Sequence, residues 1–422
     1  MEWGLAFGGL LMLGLIAYLL RQSTKYRNWL QTGGGRYLPA LGWIIASGLL
    51  LRVIWILAFP AMPASDGASY IKLAQGLLSD GQYITAGTRA YWPPGYPIFL
   101  MPWLAIFPVK WAIPISQLAL SAIGAWGCYR LASRLSGETA GRLAALLFCF
   151  WPNLVMLSGV PEKEYVILAI LPWVTLGLLG QSILRQLIAG LGLGCCILVQ
   201  PSLQLLLPVV LIGLLLFRQN RALLRGICVV LAAACVIAPW TLRNMEIFDQ
   251  FVLISTNGGS NLYRANNPLA DGGYTERGEV DVSHLDELAQ DRVSRKLAME
   301  WISTHPLSFL RLAVEKQIRF MGDDAYGTYA TLRTGRASES TAVYIVFKSI
   351  SNSFWLLFWL VSAALSFKKS GMAQGFQYLI VGWLYLFGLH SIFEAEGRYH
   401  VPMLWILCVW LACALQPVRL HS

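Results

Sequence analysis

Charge is what this sequence has least of. Only 13% of its 422 residues are Asp, Glu, Lys or Arg, while 56% are hydrophobic; soluble domains carry roughly 25% charge. A soluble globular fold is thereby excluded. Also missing are the alternating segments of about ten residues that build membrane barrels. The long apolar runs must therefore cross as helices, because a hydrocarbon core of about 30 Å cannot satisfy an open backbone. There is no Walker motif, no Gly-x-Gly-x-x-Gly leading into a soluble sheet and no paired-histidine zinc motif. Five histidines in all give little material for a metal cluster, even with His390 and His400 near Glu394. No span carries the several mid-membrane charges of a proton- or voltage-coupled transporter. The external loops lack cysteine. All eight cysteines fall inside apolar runs, where they read as small buried hydrophobes and exclude a disulfide framework.

What charge there is has a pattern. The net charge of +10 invites a nucleic-acid reading, but the basic residues sit in short loops: Arg21, Lys25, Arg27 and Arg36; Arg130, Arg134 and Arg142; Arg218, Arg221 and Arg225; Lys368 and Lys369. These loops alternate with loops carrying acids, as the positive-inside rule requires. The run Leu5 to Leu20 lacks a preceding basic region and a following cleavage site, so it is read as a helix, not a signal peptide. Counting onward predicts spans at Leu38 to Phe59 and near 111–129, 143–158, 166–180, 187–200, 203–217, 226–240, 345–367, 376–393 and 400–415. The expectation is an all-α polytopic membrane protein of about eleven transmembrane helices, with the N-terminus outside.

Two external segments exceed simple connections. In the first, 61–108, Ser65-Asp66 forms an N-cap pair, and Ile71, Ala74, Leu77 and Leu78 recur at helical spacing. This predicts an interfacial helix, followed by a break at Gly81, Gly87 and Trp92-Pro93-Pro94-Gly95-Tyr96-Pro97. Pro97 to Pro108 is apolar but too short to span, and is expected to pack at the interface. The second, 241–341, opens with Asn257-Gly258-Gly259-Ser260-Asn261-Leu262-Tyr263, read as turns rather than helix. A helix from Ser283 to about Thr304 follows, then another begun by Pro306 and running through Phe320. This is a small external cap. The chain divides into residues 1–37 (an extra N-terminal helix and basic loop), 38–240 (the main transmembrane module), 241–341 (the cap) and 342–422 (C-terminal helices).

Acids at the outer membrane edge are the informative residues. Asp66 reads either as a helix N-cap, worth about 1 kcal/mol, or as a functional carboxylate, since ionisable groups at a membrane margin are functional candidates. In Pro161-Glu162-Lys163-Glu164-Tyr165, the charges either mark the water interface or set two carboxylates beside Asp66 in an acidic pocket. Arg243-Asn244 and the group Glu394, Glu396, Arg398 and Tyr399 lie at two further external ends, and Arg89 and Lys316 are also outside. Each alone reads as a solvated flank. Together they place acids and guanidinium groups on one face at a membrane boundary, which suits a lipid phosphate, because an arginine fork matches phosphate oxygens.

Several stretches together resemble the C-type glycosyltransferase superfamily, in particular glycosyltransferase family 39, with the protein mannosyltransferases and the aminoarabinose transferases of lipid A. Asp66-Gly67-Ala68-Ser69-Tyr70 and Trp92-Pro93-Pro94-Gly95-Tyr96-Pro97 look like the first external loop of that group, and Lys163-Glu164 looks like its second acidic site. Pro239-Trp240-Thr241-Leu242-Arg243-Asn244, Gly258-Gly259-Ser260-Asn261-Leu262-Tyr263 and Glu396-Gly397-Arg398-Tyr399-His400-Val401-Pro402 fit further patterns, in the family's order, from Leu38 to Leu415. The resemblance implies inverting, single-displacement transfer of a sugar from a polyprenyl phosphate to an envelope acceptor (protein, lipid or polysaccharide). By analogy Asp66 is the general base, and Glu164 holds the acceptor or tunes Asp66. Arg243 binds the donor phosphate with Arg89 and Lys316 behind it, and Tyr70, Asn261, Tyr263, Arg398 and Tyr399 contact substrate. Neither a resident cofactor nor a metal ligand set is implied, though a divalent ion could assist the phosphate. The expected setting is the bacterial inner membrane with the site on the periplasmic face.

Physical chemistry is consistent with those roles. A sugar leaving as a phosphate needs charge stabilisation more than a proton, so the acid/base pair of glycoside hydrolases is unnecessary. A lipid-borne donor also accounts for the missing nucleotide loop. The sequence departs from the pattern in three places: Gly67, where many relatives carry a second acid, the absence of a large soluble domain, and the extra N-terminal helix. The rival readings are a lipid-linked glycan flippase or other transporter, and a non-catalytic envelope assembly protein.

Overall fold

The computed structural model describes residues 38–216, 221–334, 341–366 and 376–416. The predicted helix at Leu5 to Leu20, and with it the N-terminal orientation, lies outside them. In chain order the helices are α1 Leu41–Ala58, α2 Ser65–Ser79, α3 Gly95–Ile106, α4 Val109–Ser136, α5 Glu138–Phe150, α6 Pro152–Leu157, α7 Glu164–Leu178, α8 Ile183–Val199, α9 Leu206–Leu216 and α10 Ala222–Phe248. The cap adds α11 Gly258–Ala265, α12 Glu287–Thr304, α13 Pro306–Gly322 and α14 Tyr326–Leu332. The chain then continues through α15 Thr341–Ser366, α16 Phe376–Ile392, the 3-10 helix Gly397–Met403 and α17 Leu404–Ala414. Among the described residues there is one isolated bridge, Thr85 with Thr88, and no strand.

By length and composition, α1, α10, α15 and the stretch Gly397–Ala414 can each cross a membrane, and α3 with α4, bent by 120° at their junction, makes a fifth. Four shorter apolar helices lie among them: α7, α8, α16 and Pro201–Leu215. The all-α membrane architecture thus stands, while the expected count of about eleven spans is not confirmed among the described residues. Trp43, Leu50, Ile54 and Leu57 lie on the exposed side of α1, the pattern of a lipid-facing stripe.

Span 143–158 is two helices, and the reason is local. Pro152 has no amide hydrogen, so the carbonyl of Phe148, four residues earlier, loses its helical donor. Lipid offers no replacement. Buried Arg52 on α1 fills the gap: its Nη2 donates to Phe148 O (3.2 Å) and its Nη1 to Cys149 O and Gly48 O. Trp55 adds a bond from its ring nitrogen to Met156 O at 2.9 Å. A cation at a helix C-terminus also meets the negative end of the helix dipole. Arg225, expected as a loop cation, is likewise buried and donates to Leu178 O (2.6 Å) and Gly180 O (2.9 Å) at the end of α7. Its place is set by backbone carbonyls and not by loop topology.

Close backbone approach seats α8 on α10. A Cβ added to Gly190 would lie 2.4 Å from Val229 O, and one added to Gly194 would lie 2.9 Å from Ala233 O. Small residues four apart let membrane helices pack this tightly.

The cap differs from expectation at one point. The Gly- and Asn-rich stretch predicted as turns is the helix α11. Its first turn is anchored by α12, where the Asp291 carboxylate accepts from the Gly259 amide, and a Cβ at Gly259 would collide with Asp291 O at 1.9 Å. Tertiary packing therefore overrides the poor helix propensity of glycine. α12 itself starts at Asp286, whose side chain accepts from Ala289 N at 2.8 Å, and Pro306 opens α13 as predicted.

Replacing Arg52 by Met keeps the volume and removes the donors, leaving two buried carbonyls short of partners at about 1–3 kcal/mol each. Thermal unfolding of the detergent-solubilised protein is expected to show a clear fall in Tm for Arg52→Met. An unchanged Tm would mean that other donors satisfy Phe148 and Cys149.

Candidate functional site

The segment after α16 sets the site. Gly397–Met403 is a 3-10 helix, and three residues per turn send consecutive side chains in three directions. His400 points inward: its Nδ1 lies 2.7 Å from Phe320 O, its Nε2 lies 3.0 Å from Asp324 Oδ1, and its ring stacks on Trp355 at 4.4 Å. Asp324, fully buried, also accepts from Trp151 and Asn153, the residues flanking the Pro152 break. Tyr399 donates its hydroxyl to Glu394 Oε1 at 2.6 Å and stacks on His390. Gly397 runs against the chain at Asp323, where a Cβ would lie 2.1 Å from the carbonyl oxygen. With both neighbours pinned, Arg398 has one direction left.

That direction holds three carboxylates. Arg398 Nη2 lies 3.3 Å from Asp66 Oδ2 and 3.2 Å from Glu162 Oε2, and its Nε lies 3.3 Å from Glu164 Oε1. The ring of Tyr326 lies under the guanidinium at 5.2 Å, and its hydroxyl donates to Glu162 Oε1 at 2.7 Å. Gln117 fixes the acid-bearing turn through bonds to Val160 O (2.9 Å) and Glu162 O (3.2 Å). Burial pushes the Glu162 carboxyl above the usual range; Arg398 opposes this shift and the nearby Glu164 adds to it. Side-chain exposure separates the acids: 32% for Asp66 against 6% for Glu162 and 4% for Glu164. Asp66 is therefore the carboxylate that a substrate can reach.

Asp66 does not cap its helix. The N-cap position is Ala64, without a side-chain bond, and Asp66 lies in the first turn of α2. Its Oδ2 goes to Arg398, while Oδ1 has only a 3.5 Å contact with the Ser65 hydroxyl.

Above this group lies a cavity of about 1670 Å³ between the cap and the transmembrane helices, lined by Asp66, Tyr70, Glu164, Asn261, Arg398 and Tyr399 among others. The structure thus brings together six of the ten residues singled out in the sequence. Glu394 also borders the cavity, buried, and its Oε2 has no hydrogen-bond partner among the described residues; burial raises its pKa, while the Tyr399 hydroxyl opposes the shift. Tyr263 is buried outside the lining.

The three expected phosphate cations are not in the lining either. Arg243 donates to Arg89 O (2.7 Å) and Asn244 Oδ1 (2.9 Å) and covers the Trp240 ring at 4.5 Å, tying α10 to the first external loop. The Arg89 and Ala90 amides are held by the Glu287 carboxylate. Lys316 is buried, with Nζ donating to Asn266 Oδ1 (2.9 Å) and Ile392 O (2.8 Å). The cations that do line the cavity include Lys163, Arg264, Arg292, Arg295 and Arg319. Arg264, Arg295 and Arg319 pair with Glu279, Asp291 and Asp271, whereas Lys163 and Arg292 carry no ion pair among the described residues. Sequence spacing marked Lys163 only through its neighbours, and nothing marked Tyr326 or Arg292, since only the fold brings them to the cavity.

The point on which Asp66, Glu162 and Glu164 converge is filled by the Arg398 guanidinium, and no cluster of His, Cys, Asp and Glu among the described residues is arranged to hold a metal.

No family model matches the chain, and no curated protein matches it significantly. Solved structures do. The oligosaccharyltransferase of Archaeoglobus fulgidus in the apo form matches at 12% identity and a TM-score of 0.52, covering 89% of this chain and 50% of that one. The same enzyme tethered to an acceptor peptide containing the NVT sequon matches at 13% identity and a TM-score of 0.51, over 92% and 50%. ArnT from Cupriavidus metallidurans bound to undecaprenyl phosphate gives 12% identity and a TM-score of 0.46, over 90% and 77%. The chain spans about half the length of the oligosaccharyltransferase chains it matches. The likeness shows the fold alone: the chain shares the arrangement of helices seen in the oligosaccharyltransferase structures.

Lys316 makes a pH test. Burial lowers its ammonium pKa from 10.5 to about 7, with Glu394 opposing. The unfolded chain then binds more protons than the folded one between those values, so stability rises with pH across that window and levels off at its lowest below about 7. Chemical denaturation at pH 7 and 9 is expected to show greater stability at pH 9 for the wild type, with the difference reduced in Lys316→Met. An equal pH response in the two proteins would contradict the assignment.

Proposed function

We propose that this chain is a membrane glycosyltransferase that moves a sugar from a lipid phosphate carrier to an envelope acceptor, with Asp66 as general base. The observation that carries this reading is the Asp66 carboxylate. It is the exposed member of a buried charge cluster, held by one oxygen and open at the other, on the wall of a cavity at the membrane edge. The fold, shared with oligosaccharyltransferase structures, supports it.

In the proposed step the acceptor hydroxyl or amine gives its proton to Asp66 as its heteroatom attacks the anomeric carbon. The bond from that carbon to the phosphate oxygen breaks, and the lipid phosphate leaves with the electron pair. A single displacement inverts the anomeric centre. Base catalysis at one carboxylate contributes about 10²–10⁴-fold. The departing phosphate needs a cation close by, and Lys163 suits it better than Arg243, Arg89 or Lys316. Lys163 lines the cavity without an ion pair and occupies the N-cap position of α7, the positive end of that helix. Glu164, held against Arg398, positions Asp66 through that guanidinium and is not placed to meet the acceptor first. The polyprenyl nature of the carrier, the periplasmic face and the bacterial inner membrane belong to the same proposal, as does an acceptor of protein, lipid or polysaccharide.

The test uses the purified full chain in lipid with a panel of polyprenyl-phosphate sugars and crude envelope acceptors, following release of polyprenyl phosphate and labelled product. Wild-type turnover is expected, with a loss of about 100-fold or more in a folded Asp66→Asn variant. Equal turnover in the two proteins would remove Asp66 from catalysis. Absence of transfer from every donor, with lipid translocation in the same vesicles, would favour a transporter. Lys163→Gln is expected to weaken the donor response about tenfold or more, in KM or kcat, by removing one charge-assisted phosphate contact; unchanged kinetics would assign the phosphate elsewhere.

A further inference from the structure

Three carboxylates converging at the edge of a cavity are the ligand set of a hard divalent cation. Here they converge on an arginine. We propose that Arg398 is the resident cation of this site, holding Asp66, Glu162 and Glu164 in place of a divalent metal ion. The inference rests on the reading of Asp66 as the base and assigns Arg398 as its positioning residue.

The geometry carries the argument. Two nitrogens of one guanidinium reach all three carboxylates at 3.2–3.3 Å, each oxygen coming from a different position: the first turn of α2, the turn before α7 and the first residue of α7. A metal would draw oxygens to about 2.0–2.6 Å; the planar nitrogens of a guanidinium hold them farther apart and leave Asp66 Oδ1 toward the cavity. The cation is also fixed in place. Gly397 packs against the Asp323 carbonyl on one side, and Tyr399 and His400, the next two residues of the same 3-10 turn, are bonded to Glu394 and Asp324 on the other, so Arg398 has little freedom to swing away. A guanidinium stays charged at every physiological pH and cannot be removed by a chelator. The substitution leaves a charge difference, since one positive charge faces three acids where a metal would bring two. The two glutamates are almost fully buried, and burial raises the Glu162 carboxyl, so a proton retained there reduces the excess. The Tyr326 hydroxyl on Glu162 Oε1 and the Tyr326 ring under the guanidinium complete the enclosure.

The experiment is Mn²⁺ binding followed by electron paramagnetic resonance on the purified full chain in lipid nanodiscs, which needs no turnover. Wild type is expected to show no saturable Mn²⁺ site, whereas Arg398→Ala, with its three acids uncovered, binds one Mn²⁺ with about tenfold or greater gain in affinity, lost again when Glu164→Gln is added. Arg398→Met, closer in volume, serves as the second variant if the alanine protein does not fold. Stoichiometric Mn²⁺ bound by wild type and lost in Glu164→Gln would overturn the proposal, as would folded Arg398 variants that bind no more Mn²⁺ than wild type. In a second arm, wild type dialysed against EDTA retains its sugar transfer, and added guanidinium partly restores transfer to Arg398→Ala but not to Asp66→Asn. A loss of transfer on dialysis that Mn²⁺ repairs would count against Arg398 as the cation. Absence of transfer under every condition would count against the transferase reading alone, because the resonance arm decides the cation question without it.

Discussion

One guanidinium shared by three carboxylates is the constraint around which this end of the molecule is arranged. Removing such charges from water costs several kcal/mol per ion, recovered only where geometry is tight and the remaining polar atoms are bonded. The surroundings of Arg398 meet much of that demand, although Glu162 Oε2 and Glu164 Oε2 accept no hydrogen bond among the described residues. The 3-10 turn aims it, Glu394 and Asp324 hold the two residues that follow it, Gln117 fixes the acid-bearing turn, and Tyr326 covers the face. Asp324 in turn reaches Trp151 and Asn153, so the helix break in the membrane module is tied to the charge cluster through the 3-10 turn that carries both His400 and Arg398. Networks of this kind are costly when half satisfied and rigid when complete.

The same logic accounts for the arginines buried among the spans. Charges inside a membrane helix suggest transport until their partners are known. Arg52 and Arg225 meet backbone carbonyls at helix ends, where a proline or a turn has removed the amide donors. They let short, broken helices exist where lipid would otherwise forbid them. Broken helices are in turn what brings Trp151, Asn153 and the Glu162 turn to the level of the cavity. Part of the chain's positive charge, which reads in the sequence as loop topology, is therefore internal wiring.

How much of this was legible follows from the range of each signal. Hydrophobic length and the order of short motifs marked the membrane class, the interfacial helix at Ser65–Ser79 and the acids Asp66 and Glu164, because these are local patterns. Arg398 was visible as an external cation and, through its motif, as a substrate contact, but not as the partner of three acids. Its three partners lie 332, 236 and 234 positions away in the chain, and no spacing rule spans that distance. Arg243 looked like a phosphate ligand for the opposite reason: a guanidinium after a Pro-Trp pair is conspicuous, but its bonds to the Arg89 carbonyl and Asn244 occupy it. The glycines at 258 and 259 read as turns because propensity is a single-residue property, whereas their helix depends on Asp291 in a later helix.

A built-in cation and a bound ion solve the same electrostatic problem with different consequences. A divalent ion can contact carboxylates and phosphate together, so it couples the base to the leaving group. A guanidinium engaged by three acids is already spoken for, and its remaining charge toward the cavity is small. The leaving phosphate then needs a separate cation, and the lining supplies Lys163 one residue before Glu164, next to the charge cluster but without an ion pair. In the proposed reading, holding the base and stabilising the leaving group thus fall to different residues, Arg398 and Lys163.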